Sequence, residues 1–225
     1  MTAAEKVSST VEEYLEAIYR LQERDGAAKT TELAKQLKVA LGTITNTVES
    51  LEKQNLVVHQ PYKGVKLTAK GRKIALNVVR RHRLSECLLV DILKLEWGKA
   101  HDAACKLEHA FADKELIGPL EKALGNPKAC PHGNPIPSAS GELKEEPSQT
   151  LTKLNAGEKG IIIKVTDERQ DILQYLGKLG LKPGASLEVQ EKAPFDGPLM
   201  IRVGDAKFAL GHNVASVIWV KRTKA

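Results

Sequence analysis

The sequence predicts a mainly α protein with a small β domain: a winged helix-turn-helix at the N-terminus, a central helical domain and a C-terminal SH3-like β-barrel. Three observations carry this expectation. Apolar residues recur at helical spacing through the first half of the chain. A short turn joins two of those helices just ahead of a β-type hairpin. Beyond a proline-rich stretch the pattern changes to short strands.

Val11, Leu15, Ile18, Tyr19 and Leu21 recur at steps of three and four, which predicts an amphipathic helix over residues 10–24, ended by Asp25-Gly26. Thr30 or Thr31 is placed to cap a short helix through Leu37. After an interruption from Val39 to Gly42, a helix from Thr43 to Gln54 turns Ile44, Val48 and Leu51 inward. Two helices so closely joined form a helix-turn-helix. LVVHQPYKGVKLT then holds two β-type runs around Tyr62-Lys63-Gly64 and completes a winged helix. Thr43, Thr45, Asn46 and Thr47 face outward and can reach bases or phosphates, with Tyr62 and Lys63 at the hairpin tip along the backbone. Taken alone these residues equally suit a capped surface helix. The hairpin behind them points to double-stranded DNA.

A long helix is expected from Ala69 to Leu95, broken by Trp97-Gly98 within Lys94–Ala100. Another runs from His101 to Leu116, and a short one from Gly118 to Leu124. ACPHGNPIPSASGELKEEPSQ reads as a linker, since its four prolines cannot continue a helix or a central strand. GIIIKV, ASLEVQEK, LMIRV, KFALG and SVIWVKR are five short strands, interrupted by a helix at Glu168–Leu179, and suggest a separate barrel. The expected divisions are 1–75, 76–128, a linker at 129–150, and 151–225.

Apolar residues make up 42% of the 225 residues, enough for real cores, and with aromatics at 4% those cores are aliphatic. A net charge of +6, with modest basic excess toward both ends, permits nucleic-acid binding. Three cysteines are too few and too scattered for a disulfide framework. No leading signal pattern and no apolar run near the ~20 residues that cross a bilayer are present, so a cytoplasmic protein without membrane contact is expected.

HDAACKLEH concentrates ligand chemistry. At about 100° per residue, His101, Cys105, Glu108 and His109 fall on one arc of a helix. His82 and Glu86 form an i,i+4 pair on the preceding helix, Glu12, Glu13 and Glu16 lie on the first, and Cys130 and His132 lie in the linker. Imidazole, thiolate and carboxylate are ordinary ligands of divalent first-row metals. A lone histidine or acid on a helix is more often a packing or solvated residue, and Cys87 is assigned to packing. Six donors on two neighbouring helices favour metal.

TVEEYLEAIYRL, the helix-turn-helix, VVRRHRLSE, KAHDAACKLEHA and HGNPIP together resemble the diphtheria toxin repressor family of metal-dependent regulators, which includes iron-dependent and manganese transport regulators. The resemblance covers nearly the whole chain. It implies a central dimerisation and metal-binding domain, a C-terminal SH3-like (FeoA-like) domain, and a homodimer that binds operator DNA when loaded with metal and represses metal-uptake genes. It also implies two metal sites per subunit for Fe(II) or Mn(II). The primary site would use Cys105, Glu108 and His109, joined by Glu13, with Glu16 as a second acid one turn later. The ancillary site would use His82, Glu86 and His101, completed either by Glu168 and Asp171 or by Cys130 and His132. The thiolate of Cys105 suits the iron branch, and the carboxylate of Glu13 moves the site toward Mn(II).

Two other readings remain. The cluster could serve a metallohydrolase, although the chain has no HExxH, nucleophile elbow or phosphate-binding glycine loop. It could also hold a merely structural ion in a DNA-binding protein.

Overall fold

Residues 7–223 are described by a computed structural model and divide into two units, one of residues up to 81 with 137–142 and one of 82–136 with the residues from 143 on.

In the first unit, helix α1 (Ser9–Asp25) is capped by Ser8, whose hydroxyl accepts from the Val11 amide at 3.3 Å, and closed by Gly26 at φ 79°. Its Tyr14, Leu15, Ile18, Tyr19 and Leu21 are buried. Helix α2 (Thr30–Leu37) starts at Thr30 itself and has no side-chain cap, so neither threonine is the cap. The reason lies in Ala28, which exchanges hydrogen bonds of 2.9 and 2.8 Å with Val65 and keeps the chain extended through Lys29. Lys38, left-handed at φ 55°, and the extended Ala40 then reverse the chain in three residues. Helix α3 (Leu41–Lys53) therefore begins two residues earlier than Thr43. Strands β1 (Val57–Gln60) and β2 (Gly64–Leu67) form the antiparallel wing. Gly64 cannot carry a side chain: its φ is 101° and a Cβ would lie 2.6 Å from the Ala28 carbonyl oxygen. Leu33, Ile44, Val48, Leu51, Leu56 and Val65 are buried with them.

Helix α4 (Ala69–Cys87) continues into a π-helical turn at Leu88–Ile92, and the chain leaves helical geometry at Lys94, φ 57°. In the second unit α5 (Ala100–Leu107) is followed by a 3-10 turn at Ala110–Ala112 and by α6 (Lys114–Ala123). The continuous helix expected from His101 to Leu116 is thus two pieces. Asp113, extended at ψ 124°, ends the first, and its carboxylate accepts from the Glu115 amide to start the second. α6 takes the place of the shorter helix expected at Gly118.

The C-terminal sheet has six antiparallel strands rather than five, in the order β3-β8-β4-β5-β6-β7. They are β3 (Gln149–Thr150), β4 (Lys159–Val165), β5 (Ser186–Lys192), β6 (Leu199–Val203), β7 (Ala206–Leu210) and β8 (Ile218–Thr223), with α7 (Gln170–Lys178) between β4 and β5 and a short α8 (His212–Ala215) before β8. This domain is not separate from the central helices. Trp97 belongs to the core formed by Leu173, Leu176, Ile162, Val189 and Ile201, and a Cβ on Gly98 would lie 2.8 Å from the side chain of Gln174. Nor is the start of the proline-rich stretch a free linker. The Val165 amide donates to the His132 carbonyl at 2.9 Å, and Asn134 Nδ2 donates to the Val165 carbonyl at 2.9 Å. Gly133, at φ 83°, passes so close that a Cβ would sit 1.9 Å from the Ile163 carbonyl oxygen.

Candidate metal centre and DNA-reading surface

His82 and Glu86 project from one face of α4 because they are one turn apart, and both side chains are fully buried. His82 Nδ1 lies 2.6 Å from Glu108 Oε2, a carboxylate that only accepts, so Nδ1 carries the proton. Its Nε2 faces Glu86 Oε1 and His101 Nδ1, each at 3.1 Å. His132 contributes a third imidazole. Its Nε2 donates to the Trp97 carbonyl at 3.1 Å, which turns Nδ1 toward Glu86 Oε1 at 3.0 Å. Glu168 reaches in from the segment before α7, with Oε2 3.3 Å from His101 Nδ1 and Oε1 held by Asn134 Nδ2 at 2.8 Å.

Convergence of this kind is costly without a cation at the centre. Glu86 Oε1 serves three imidazoles, while Oε2 is buried with no hydrogen-bond partner among the described residues. A buried, unsatisfied carboxylate oxygen carries the full desolvation cost. Protons carry the positive charge here. Burial alone would lower the pKa of His82, but the Glu86 charge and the hydrogen bonds of His82 to Cys105, Glu108 and Glu86 hold it well above the usual imidazole range. The same opposition, with Cys105, Glu168 and Glu86 as partners, puts His101 at about 11. His132 is raised over its own burial by Glu86 and Glu168. Burial works against ionisation of Glu86, and the surrounding histidines nonetheless hold it well below the carboxylate range.

The donor atoms of His82, Glu86, His101 and Glu168 lie within 4.8 Å of one another, as do those of Glu86, Cys130, His132 and Glu168, and those of His82, His101 and Cys105. That is about the span of ligands held at roughly 2.0–2.3 Å from one ion. The residues fit a divalent metal.

The alternatives for completing the ancillary set are thus both present around Glu86: Glu168 from the C-terminal domain, and Cys130 with His132 from the preceding segment. Asp171 is not part of it. α7 begins at Gln170, so Glu168 lies outside the helix and the helical i,i+3 relation does not apply. The Asp171 side chain is 75% exposed and faces Arg169 at 3.9 Å. Asn134 and the Trp97 carbonyl, which orient Glu168 and His132, escaped the sequence reading, although Asn134 stands within HGNPIP.

Of the expected primary set, Cys105, Glu108 and His109 lie in the second unit. Cys105 Sγ is 3.8 Å from His101 Nε2 and 4.0 Å from His82 Nδ1. Desolvation at the sulfur opposes ionisation, but hydrogen bonds with His101 and His82 outweigh it and lower the thiol pKa. Glu108 is buried, and His109 Nε2 lies 3.5 Å from Glu108 Oε1. Glu13 and Glu16 belong to α1 of the first unit, where Glu13 is exposed and Glu16 accepts from Arg20 Nη2 at 2.8 Å. Cys87 is a packing residue as expected, buried with its thiol pushed up to about 12 by desolvation, then by the Asp91 and Glu86 charges.

On α3, Thr43, Thr45 and Asn46 are exposed and Thr47 is half-buried, while Ile44, Val48 and Leu51 face the core. Thr45 Oγ1 donates back to the Leu41 carbonyl at 3.2 Å. At the wing tip Tyr62 is fully exposed with φ 63°, and Lys63 is exposed beside it. Leu41, 50% exposed at the start of α3, was outside the sequence-derived set because the helix was expected to begin later.

A winged helix with an open reading face, joined to a buried imidazole, carboxylate and thiol centre, defines a metal-responsive DNA-binding protein. The comparisons with known proteins agree. The chain matches the family models for the iron dependent repressor N-terminal DNA binding domain over residues 6–65, the iron dependent repressor metal binding and dimerisation domain over 68–138, and the FeoA domain over 149–222. It is 32% identical to the iron-dependent repressor IdeR of Mycobacterium tuberculosis over 95% of this chain and 97% of that one. With the diphtheria toxin repressor of Corynebacterium jeikeium it shares 33% identity over 93% and 83%. Among solved structures it is similar to a manganese-dependent transcriptional repressor in complex with manganese, with TM-score 0.87, 33% identity, and coverage of 95% and 100%. The chain belongs to the iron-dependent repressor family. These relatives are repressors, and they give the hydrolase alternative no support. No helix among the described residues is long and apolar enough to cross a membrane.

Proposed function

We propose that this protein is a homodimeric repressor that binds operator DNA when Fe(II) or Mn(II) is held at its buried centre. The observation that carries this is the convergence of the donor atoms of His82, Glu86, His101 and Glu168 within 4.8 Å of one another, in a chain that also carries an exposed reading helix. When bound, the ion supplies the positive charge that protons otherwise supply there.

Coupling to DNA rests on the primary set. Glu13 belongs to the unit with the reading helix, and Cys105, Glu108 and His109 to the other. If Glu13 completes this set only in the DNA-competent arrangement, with Glu16 one turn later as a further donor, the four residues favour that arrangement. A ligand shifts an equilibrium only through such differential affinity. The relatives named for iron and the solved structure with manganese support a divalent first-row ion without choosing between them.

The test is selection of random duplex DNA by chelator-treated protein, run anaerobically with Fe(II), with Mn(II) or with neither. A palindrome enriched only with metal is the expected result. Equal enrichment without metal demotes the ion to a structural part. Glu13→Ala should weaken metal-dependent DNA binding, and unchanged metal and DNA affinity in that variant would end the coupling proposal.

A further inference from the structure

We propose that Leu41 is a base-reading residue: its side chain packs on the 5-methyl group of a thymine in the major groove, and the bare backbone of Gly42 lets that base pair approach. The inference deepens the repressor reading and rests on it, since it names a chemical feature of the operator that this chain selects.

Among the described residues of the first unit, the large apolar side chains left exposed are Leu41, Val58 and Tyr62, on α3, on β1 and at the wing tip. The exposure follows the reading helix and the wing. Leu41 is 50% exposed although it opens a helix whose Ile44, Val48 and Leu51 are buried. A leucine left in water gains by contact with another apolar surface.

Gly42 supplies an independent observation. Its φ lies outside the left-handed region, and a Cβ added there would meet no atom within 4 Å. Neither backbone geometry nor packing in this unit asks for glycine, and helix propensity disfavours it. What the missing side chain does provide is an opening on the outside, directly beside Leu41. Thr45, one turn on and about 40° round the helix from Leu41, donates its hydroxyl proton to the Leu41 carbonyl at 3.2 Å. Threonine has a single side-chain proton to donate, so Leu41, Gly42 and Thr45 together make a face with no side-chain donor left for a base. The exposed Asn46, one turn on from Gly42, adds polar reading next to it, since a side-chain amide can pair with adenine.

Base chemistry then selects what Leu41 meets. In the major groove the 5-methyl of thymine is the apolar group in an otherwise hydrogen-bonding pattern, and apolar side chains read it by contact. A cytosine in its place would turn an amino donor toward a leucine that cannot accept from it.

The test uses the full chain with Mn(II) and the palindromic duplex enriched by the selection. Each thymine is replaced in turn, symmetrically in both half-sites, by deoxyuridine, which removes the methyl and keeps every hydrogen-bonding group. Fluorescence anisotropy gives the affinities. One such replacement should weaken binding about fourfold per half-site, the worth of one buried methyl. Leu41→Ala should lose a similar factor on the unmodified duplex and be indifferent to that replacement, while Leu41→Met should recover the discrimination. Gly42→Ala should weaken binding while matching or exceeding the wild-type melting temperature. The wild-type series needs no variant, so a variant that misfolds does not decide the outcome. Equal wild-type affinity for every deoxyuridine duplex, or a loss that persists unchanged in Leu41→Ala, would overturn the proposal. No enriched sequence under any condition would overturn the repressor reading and this one with it. A methyl-dependent palindrome bound equally without metal would overturn metal control alone and leave Leu41 as its reader.

Discussion

Trp97 and His132 hold one another at two points: the Trp97 carbonyl accepts from His132 Nε2 at 3.1 Å, and the two rings meet edge-on with centroids 5.0 Å apart. The indole Nε1 in turn donates to the Pro131 carbonyl at 2.8 Å. The position of one aromatic residue therefore sets which nitrogen of His132 faces Glu86.

Replacing this anchor should be felt in both stability and metal affinity. Trp97→Ala removes a large buried side chain and should cost about 3–5 kcal/mol in urea unfolding of the metal-free protein. Trp97→Phe loses the Nε1 hydrogen bond, about 1 kcal/mol, with a further loss of packing. Because the carbonyl that orients His132 is backbone, Trp97→Phe should retain most of its Mn(II) affinity. Wild-type stability in Trp97→Ala would show that the indole is not the anchor described.

Metal binding should release protons at neutral pH. His101, held at about 11 by Glu168, Glu86 and Cys105 against its burial, is protonated there, and His82 and His132 are shifted the same way. Ligation needs neutral imidazole, so apparent affinity must rise with pH. Calorimetry in buffers of different ionisation enthalpy should return at least one proton released per ion at pH 7. In the metal-free protein the sign is opposite: the raised histidines stabilise the fold fully below ~6.5, and that contribution fades as pH climbs through their folded values. A pH-independent metal affinity between pH 6 and 8 would contradict this account.

Glu168 and Asp171 make a sharp contrast. Glu168→Gln should weaken metal binding at this centre by ~10–100-fold, the usual effect of disturbing a ligand or its close partner. Asp171→Ala should leave it unchanged, since that side chain lies in solvent beside Arg169. Equal losses in the two variants, measured by competition with a chelating dye, would mean that α7 is repositioned on loading.

For DNA, the reading helix and the wing should separate by their salt dependence. Lys63→Ala at the wing tip should weaken binding to all sequences and lower the slope of log affinity against log salt by about 1. Asn46→Ala on α3 should leave the slope alone and reduce the preference for the selected site by about 1–3 kcal/mol. Fluorescence anisotropy at several salt concentrations distinguishes them.

The helices and wing of the first unit were legible because their apolar periodicity is strong and their turns are local. Errors there were of one or two residues and came from partners distant in sequence, such as the Val65 bridge that keeps Ala28 extended ahead of α2. The ligand types were legible too, since helical spacing alone groups His82 with Glu86 and His101 with Cys105. What spacing could not convey was assembly. Trp97-Gly98 reads as a helix breaker, yet its indole joins a core built mostly from residues beyond 150. Cys130 and His132 sit among prolines that suggest exposed chain, yet both are buried. Asp171 was misplaced because the helix expected from Glu168 begins two residues later, at Gln170.

Trp97 also constrains how the architecture could be shortened. A gene encoding only the first 150 residues would leave an indole that belongs to the C-terminal core uncovered, and would delete Glu168 from the ion cluster. Exposed aromatic surface of that kind promotes association. Loss of the third domain in any descendant of this chain would therefore require accompanying changes at positions 97 and 98 and a new acid for the centre, so that the domain is retained or discarded together with the residues that greet it.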